Sequence, residues 1–222
     1  MSSAVERLLV ELGSVVGRAI RDHEQADLFA GFEERFGQRP EARAVESHTK
    51  PVVDEWLAAA VESAGKPWRH LAELLAAASA DIPWIATYEN LEPSAGLDAF
   101  QPLYSFQLLV GPDFRGYQPP VLVDDLLAGF TLQAPNVLYP RHHHAPPEIY
   151  GVMSGAPDWQ VGNTWSQKGA GDVIVHRPHE SHAMRTGDRP TLSWAAWPRD
   201  PLSHVYMPSL DSPDDTMAPI VY

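Results

Sequence analysis

The chain contains no cysteine. That excludes disulfides, thiolate metal sites and a cysteine nucleophile together, so any metal must be held by nitrogen and oxygen. It also lacks an apolar run long enough to span a bilayer. The opening from Met1 to Leu9 has no long apolar stretch with a basic flank, so no secretory signal is expected and the cytoplasm is the expected location. Basic residues are scarce: 16 Lys and Arg face 29 Asp and Glu, for a net charge of −13. Phosphate binding needs clustered cations, so nucleic acid is excluded as a partner, whereas an acidic surface favours a cationic small molecule. No internal repeat and no low-complexity tract is present. What the chain does have, in 222 residues, is 44% hydrophobic content, 21 prolines and 10 histidines. That suffices for one ordinary core, with or without an extension.

The two halves differ in pattern. Val5, Leu8, Leu9, Leu12, Val15, Val16, Ala19 and Ile20 recur at steps of three and four, which predicts an amphipathic helix opened by a Ser3–Glu6 capping box. A short helix is expected from Leu28 to Phe36, ending at Gly37. Another follows Pro51 through Val52, Val53, Trp56, Leu57, Ala60 and Val61, and a further one opens at Pro67. From about Phe100 the chain reads as short strands cut by Gly, Pro, Asn and Asp. They are expected near 104–110, 121–123, 127–133, 148–154, 158–161, 172–175, 183–186, 191–196 and 205–207. The expected division is a helical region 1–98, packing on the rest or on a second copy in a homodimer, a β-barrel 99–208 and a tail 209–222.

The chemistry concentrates in Tyr139-Pro-Arg-His142-His143-His144-Ala-Pro-Pro-Glu148-Ile-Tyr150. Residues two apart on a strand share a face, so His142 and His144 point one way and His143 the other. Imidazoles with a carboxylate suit one divalent transition metal: zinc, iron, manganese, nickel or cobalt. Tyr150 lies two residues beyond Glu148 and should line the same cavity. Further on, Gly171 to His182 offers His176, His179 and His182 as a last imidazole.

The spacing His142-x-His144-x3-Glu148-x6-Gly155 resembles the first motif of the cupins, and Gly171–His182 takes the place of the second. The resemblance implies a mainly β fold, a double-stranded antiparallel jelly-roll-like barrel with an α-helical N-terminal extension. Tyr139, His144, Glu148, Tyr150 and His182 together resemble the bacterial cupin-type lyases of dimethylsulfoniopropionate (DMSP), the DddL, DddQ and DddW group. The second motif departs from the usual pattern: Pro178 lies four residues before His182, and Glu180 stands where glycine is expected. His176 and His179 therefore compete with His182, which the lyase pattern favours; His176 is expected on a strand facing the other way, and His179 in a turn.

The resemblance implies that His142, His144, Glu148 and His182 bind the metal. It implies a carbon–sulfur lyase that cleaves DMSP to dimethyl sulfide and acrylate by β-elimination, with Tyr150 as base and Tyr139 assisting. The substrate carries a sulfonium and a carboxylate. Aromatic faces attract such a cation, and Tyr88, Tyr104, Trp159, Trp165, Trp194 and Trp197 are the candidates, although tryptophans are more often core. Two other functions fit the same ligands: a cupin dioxygenase or isomerase, and a non-enzymatic metal-binding sensor.

Overall fold

A computed structural model describes residues 3–88, 97–114, 116–208 and 217–220. Helix α1 (Ala4–Arg21) buries the predicted stripe, Val5 to Ile20, on one side. Ser3 caps it by accepting the Glu6 N–H at 3.1 Å. The capping box is only half formed, because the Glu6 carboxylate instead accepts the Ala42 N–H at 2.7 Å and pairs with Arg39. The helix expected over 28–36 is two pieces, a 3-10 turn Ala26–Phe29 and α2 (Phe32–Gly37). Gly31 between them has φ +76°, a left-handed conformation that breaks a helix and that glycine adopts without strain. α3 (Pro51–Glu62) and α4 (Arg69–Ala78) follow the predicted stripes; α3 opens on Pro51, whereas Pro67 sits in a 3-10 turn, Lys66–Trp68, and α4 starts just beyond it. A short α5 (Leu97–Phe100) leads into the strands.

The strands are β1 (Trp84–Ile85), β2 (Tyr104–Gly111), β3 (Val121–Leu122), β4 (Leu127–Gln133), β5 (Leu138–His144), β6 (Glu148–Ser154), β7 (Asp158–Val161), β8 (Thr164–Gln167), β9 (Val173–His176), β10 (His182–Arg185), β11 (Thr191–Trp197), β12 (Val205–Pro208) and β13 (Met217–Ile220). One sheet has the order β1-β2-β4-β11-β6-β9, with β3 parallel to β2; the other runs β13-β12-β5-β10-β7-β8. All pairs but β2–β3 are antiparallel. This is the mainly β, two-sheet architecture with N-terminal helices that the sequence leads one to expect.

Helix α3 packs across β2, β4 and β11 on the outer face of the first sheet. Trp194 of β11 meets Trp68 there edge to face, with ring centroids 5.8 Å apart. The inner face of the same sheet carries Glu148 and Tyr150 and looks onto β5, β7 and β10. Four strands, β1, β5, β8 and β13, lie outside the expected set. Residues 209–216 of the expected tail lie outside the described residues, while 217–220 pair with β12. Among the described residues no helix is long and apolar enough to cross a membrane.

Candidate active site

The histidine-rich strand is shaped by a bulge. Across β5 and β10, His142 faces His182 but Tyr139 faces Met184, so three steps along β5 match two along β10. The extra residue falls around Pro140, which has no N–H to offer a ladder. In a regular strand residues three apart point to opposite faces. The bulge instead turns Tyr139 inward with His142, and their rings stack at 4.2 Å and 15°. His143 takes the other face and stacks on Tyr206 of β12 at 5.0 Å.

His142, His144, Glu148 and His182 converge, each nearly fully buried. His142 Nδ1 lies 2.8 Å from the Pro140 carbonyl, His144 Nδ1 2.9 Å from that of Pro146, and His182 Nδ1 2.8 Å from that of Glu180. A carbonyl only accepts, so each Nδ1 carries the proton and each Nε2 presents a lone pair inward. The ligand atoms of His142, His144 and His182 lie within 4.8 Å of one another. Glu148 Oε2 is 3.2 Å from His144 Nε2 and 3.3 Å from His182 Nε2, and the latter, though buried, has no hydrogen-bond partner among the described residues. Lone pairs aimed at a carboxylate with no proton between them repel unless a cation sits among them. The donor set therefore fits a divalent metal with nitrogen and oxygen ligands.

His176 is also inside, contrary to the expectation that it faces away. It pairs directly opposite Glu148 on the neighbouring strand, so both side chains share the inner face, and its ring lies flat on His182 at 3.7 Å. His179 sits in a turn at φ +60°, on the His143 side of β5, away from the ligand cluster.

Burial disfavours the charged form of His142, His176 and His182. It pulls His142 well below its ordinary value, helped by His182, lowers His176, and brings His182 down to about 3. Burial alone would raise Glu148, but His144, His176 and His182 outweigh it and hold the carboxyl well below the usual range. Burial pushes the Tyr150 phenol up, assisted by the Glu148 charge; Tyr139 rises through burial and its tyrosine neighbours.

Glu148, Tyr139 and Tyr150 form the floor of a cavity of about 610 Å³ counted to its open mouth. Tyr88, Tyr104, Phe106, Phe114 and Trp197 wall it, Leu202 and Ser203 also line it, and among the described residues Glu148 is the only charged group lining it. The Tyr88 and Tyr139 hydroxyls are hydrogen-bonded to each other. Of the six aromatic candidates, the structure places Tyr88, Tyr104 and Trp197 on the cavity. Trp159 lies behind Tyr150, edge to face at 5.0 Å. Trp194 is turned to the helices, and Trp165 is 41% exposed beneath Arg185. Phe106 and Phe114 carry no local signal that separates them from core.

Residues 27–193 match the family model of dimethylsulfoniopropionate lyases. The chain is 29% identical over 125 residues to the dimethylsulfoniopropionate lyase DddQ of Ruegeria pomeroyi, covering 56% of this chain and 58% of that protein. Its match spans about three fifths of the length of the curated relatives. The crystal structure of DMSP lyase DddQ from Ruegeria pomeroyi superposes with TM-score 0.57 at 22% identity, covering 92% of this chain and 96% of that one. A chain from the crystal structures of the DMSP lyases RdDddP and RnDddQII gives 0.61 at 20% identity, covering 88% and 94%. These two show a shared fold, and the family match, over more than half of the chain, shows that it belongs to the dimethylsulfoniopropionate lyase family.

Proposed function

We propose that this protein is a metal-dependent lyase that cleaves DMSP to dimethyl sulfide and acrylate. The observation that carries the reading is an aromatic-walled cavity lined by Tyr139, Tyr150 and Glu148, the last of which reaches the buried imidazoles of His144 and His182, in a chain of this family. His142, His144, Glu148 and His182 would hold the metal. When bound, a divalent cation there supplies positive charge that polarises the substrate carboxylate and favours the Tyr150 phenolate.

The rest falls to the chain's own side chains. Tyr150 Oη takes the proton from the carbon next to the carboxylate. The C–H electron pair becomes the new carbon–carbon double bond, and the carbon–sulfur pair leaves with sulfur as neutral dimethyl sulfide. Tyr139, tied to Tyr88, orients the substrate beside it. Tyr104, Phe106 and Trp197 offer π-faces to the sulfonium, and among the described residues no Lys or Arg lines the cavity to repel it.

The test is headspace chromatography of purified protein with DMSP, with chelator and with added divalent metals. The expected result is dimethyl sulfide with matching acrylate, abolished by chelator and restored by metal. No gas under any metal would refute the reading.

A further inference from the structure

Glu148 is the only buried carboxylate among the described residues, and both its oxygens are engaged. Oε1 accepts the Trp197 indole N–H at 2.6 Å. Oε2 lies 3.1 Å from His176 Nδ1, and the other His176 nitrogen, Nε2, lies 3.0 Å from the Trp159 indole nitrogen. An indole N–H can only donate. His176 Nε2 must therefore accept from Trp159, which leaves the ring's one proton on Nδ1, aimed at Glu148. The sequence of donors runs Trp159 to His176 to Glu148, with Trp197 donating from the other end, and neither end can reverse. Neighbouring strands supply the parts: His176 faces Glu148 on β9, and Trp197 closes β11 on the opposite flank of β6.

We propose that His176, fixed by Trp159, and Trp197 are positioning residues that present a single Glu148 oxygen, Oε2, to the metal, and that His176 is not a ligand itself. The inference rests on the reading that this site holds a metal. It resolves an ambiguity of geometry, since the ligand atoms of Glu148, His176 and His182 also lie within 4.8 Å of one another. Distance alone makes His176 a ligand candidate; its hydrogen bonds leave it no lone pair to give. Hydrogen bonds of this kind orient a ligating carboxylate, and removing one typically weakens metal affinity by about 10–100-fold.

The experiment measures zinc affinity by competition with a chromophoric chelator and records the visible spectrum of the cobalt(II)-loaded protein. His176→Leu is expected to weaken zinc by about 10–100-fold while the chelated protein keeps its circular dichroism. His176→Gln, whose amide can donate to Glu148 and accept from Trp159, is expected to recover most of the affinity and the parental cobalt spectrum. Trp197→Phe frees Oε1 and should change the cobalt bands. Wild-type affinity in His176→Leu overturns the proposal. So does a His176→Gln protein as weak as His176→Leu, because the imidazole would then be a ligand. If His176→Leu does not fold, Trp159→Phe decides: unchanged zinc affinity there overturns the relay. A wild-type protein that binds neither zinc nor cobalt defeats the metal reading itself, an outcome distinct from the other three.

Discussion

At the scale of single residues the two tyrosines separate by what their hydroxyls touch. Tyr150→Phe removes one oxygen and leaves a ring that still packs edge to face on Trp159. Fold and metal content should persist while dimethyl sulfide release falls by about 10²–10⁴-fold, the usual worth of a positioned base. Normal turnover in that variant would show that another group takes the proton. Tyr139→Phe keeps the stack on Phe100 and His142 and loses only the bond to Tyr88, so a smaller loss is expected, in KM more than in kcat. The four ligand candidates were legible because their grouping is local: a two-residue strand step, a four-residue reach to Glu148 and one distant imidazole. His176 was misjudged because its direction is set by the pairing with Glu148 on another strand, 28 residues away. Tyr139 could be chosen only by resemblance, although Pro140 inside a strand is a local sign of the bulge that turns it inward.

At the scale of elements, the sheet and the helical layer lock through one close approach. A Cβ on Gly151 would lie 2.1 Å from the Trp194 ring, which in turn stands edge-on to Trp68 before α4. Gly151→Ala must push that indole and its partner, so a loss of about 1–3 kcal/mol is expected, the usual cost of overpacking. Urea unfolding of the chelated protein measures it, and an unchanged midpoint would mean that the tryptophans yield freely. The strands read correctly from sequence, β4, β6 and β7 among them, are apolar or alternating runs bounded by turn residues. β5 lies outside the expected strands, although His142 to His144 read in strand geometry, because Leu138-Tyr-Pro-Arg-His-His-His has no apolar alternation and turns the polar Tyr139, His142 and His144 inward. β8 is exposed along its whole length, and β1 is two residues long, so neither carries an apolar period to detect.

At the scale of the whole molecule, the site makes stability depend on acid. His182 is held near 3 in the folded chain and returns to about 6.5 when unfolded, so below pH 6.5 the unfolded chain binds the extra proton. The penalty is about 1.4 kcal/mol for each pH unit below 6.5 until the folded group also titrates near 3. The lowered values of His142 and His176 act in the same direction as the pH falls below 6.5. Glu148 adds to the loss further down, because a depressed carboxyl stabilises only above its unfolded value. Against a total stability of about 5–15 kcal/mol for a domain, His182 alone costs about 2 kcal/mol at pH 5, and His142 and His176 add to that loss. The melting temperature of the chelated protein should therefore be flat above about pH 7 and fall steeply from 6.5 downward. Saturating metal should raise the melting temperature near neutrality, by about 2.7 kcal/mol of stability at a hundredfold excess over Kd. That gain should shrink in acid, because protons and metal compete for the same Nε2 lone pairs. Calorimetry of chelated and metal-loaded protein from pH 8 to 5 checks both trends. A chelated protein whose melting temperature does not move between pH 7 and 5 would show that these imidazoles are not held neutral in the fold.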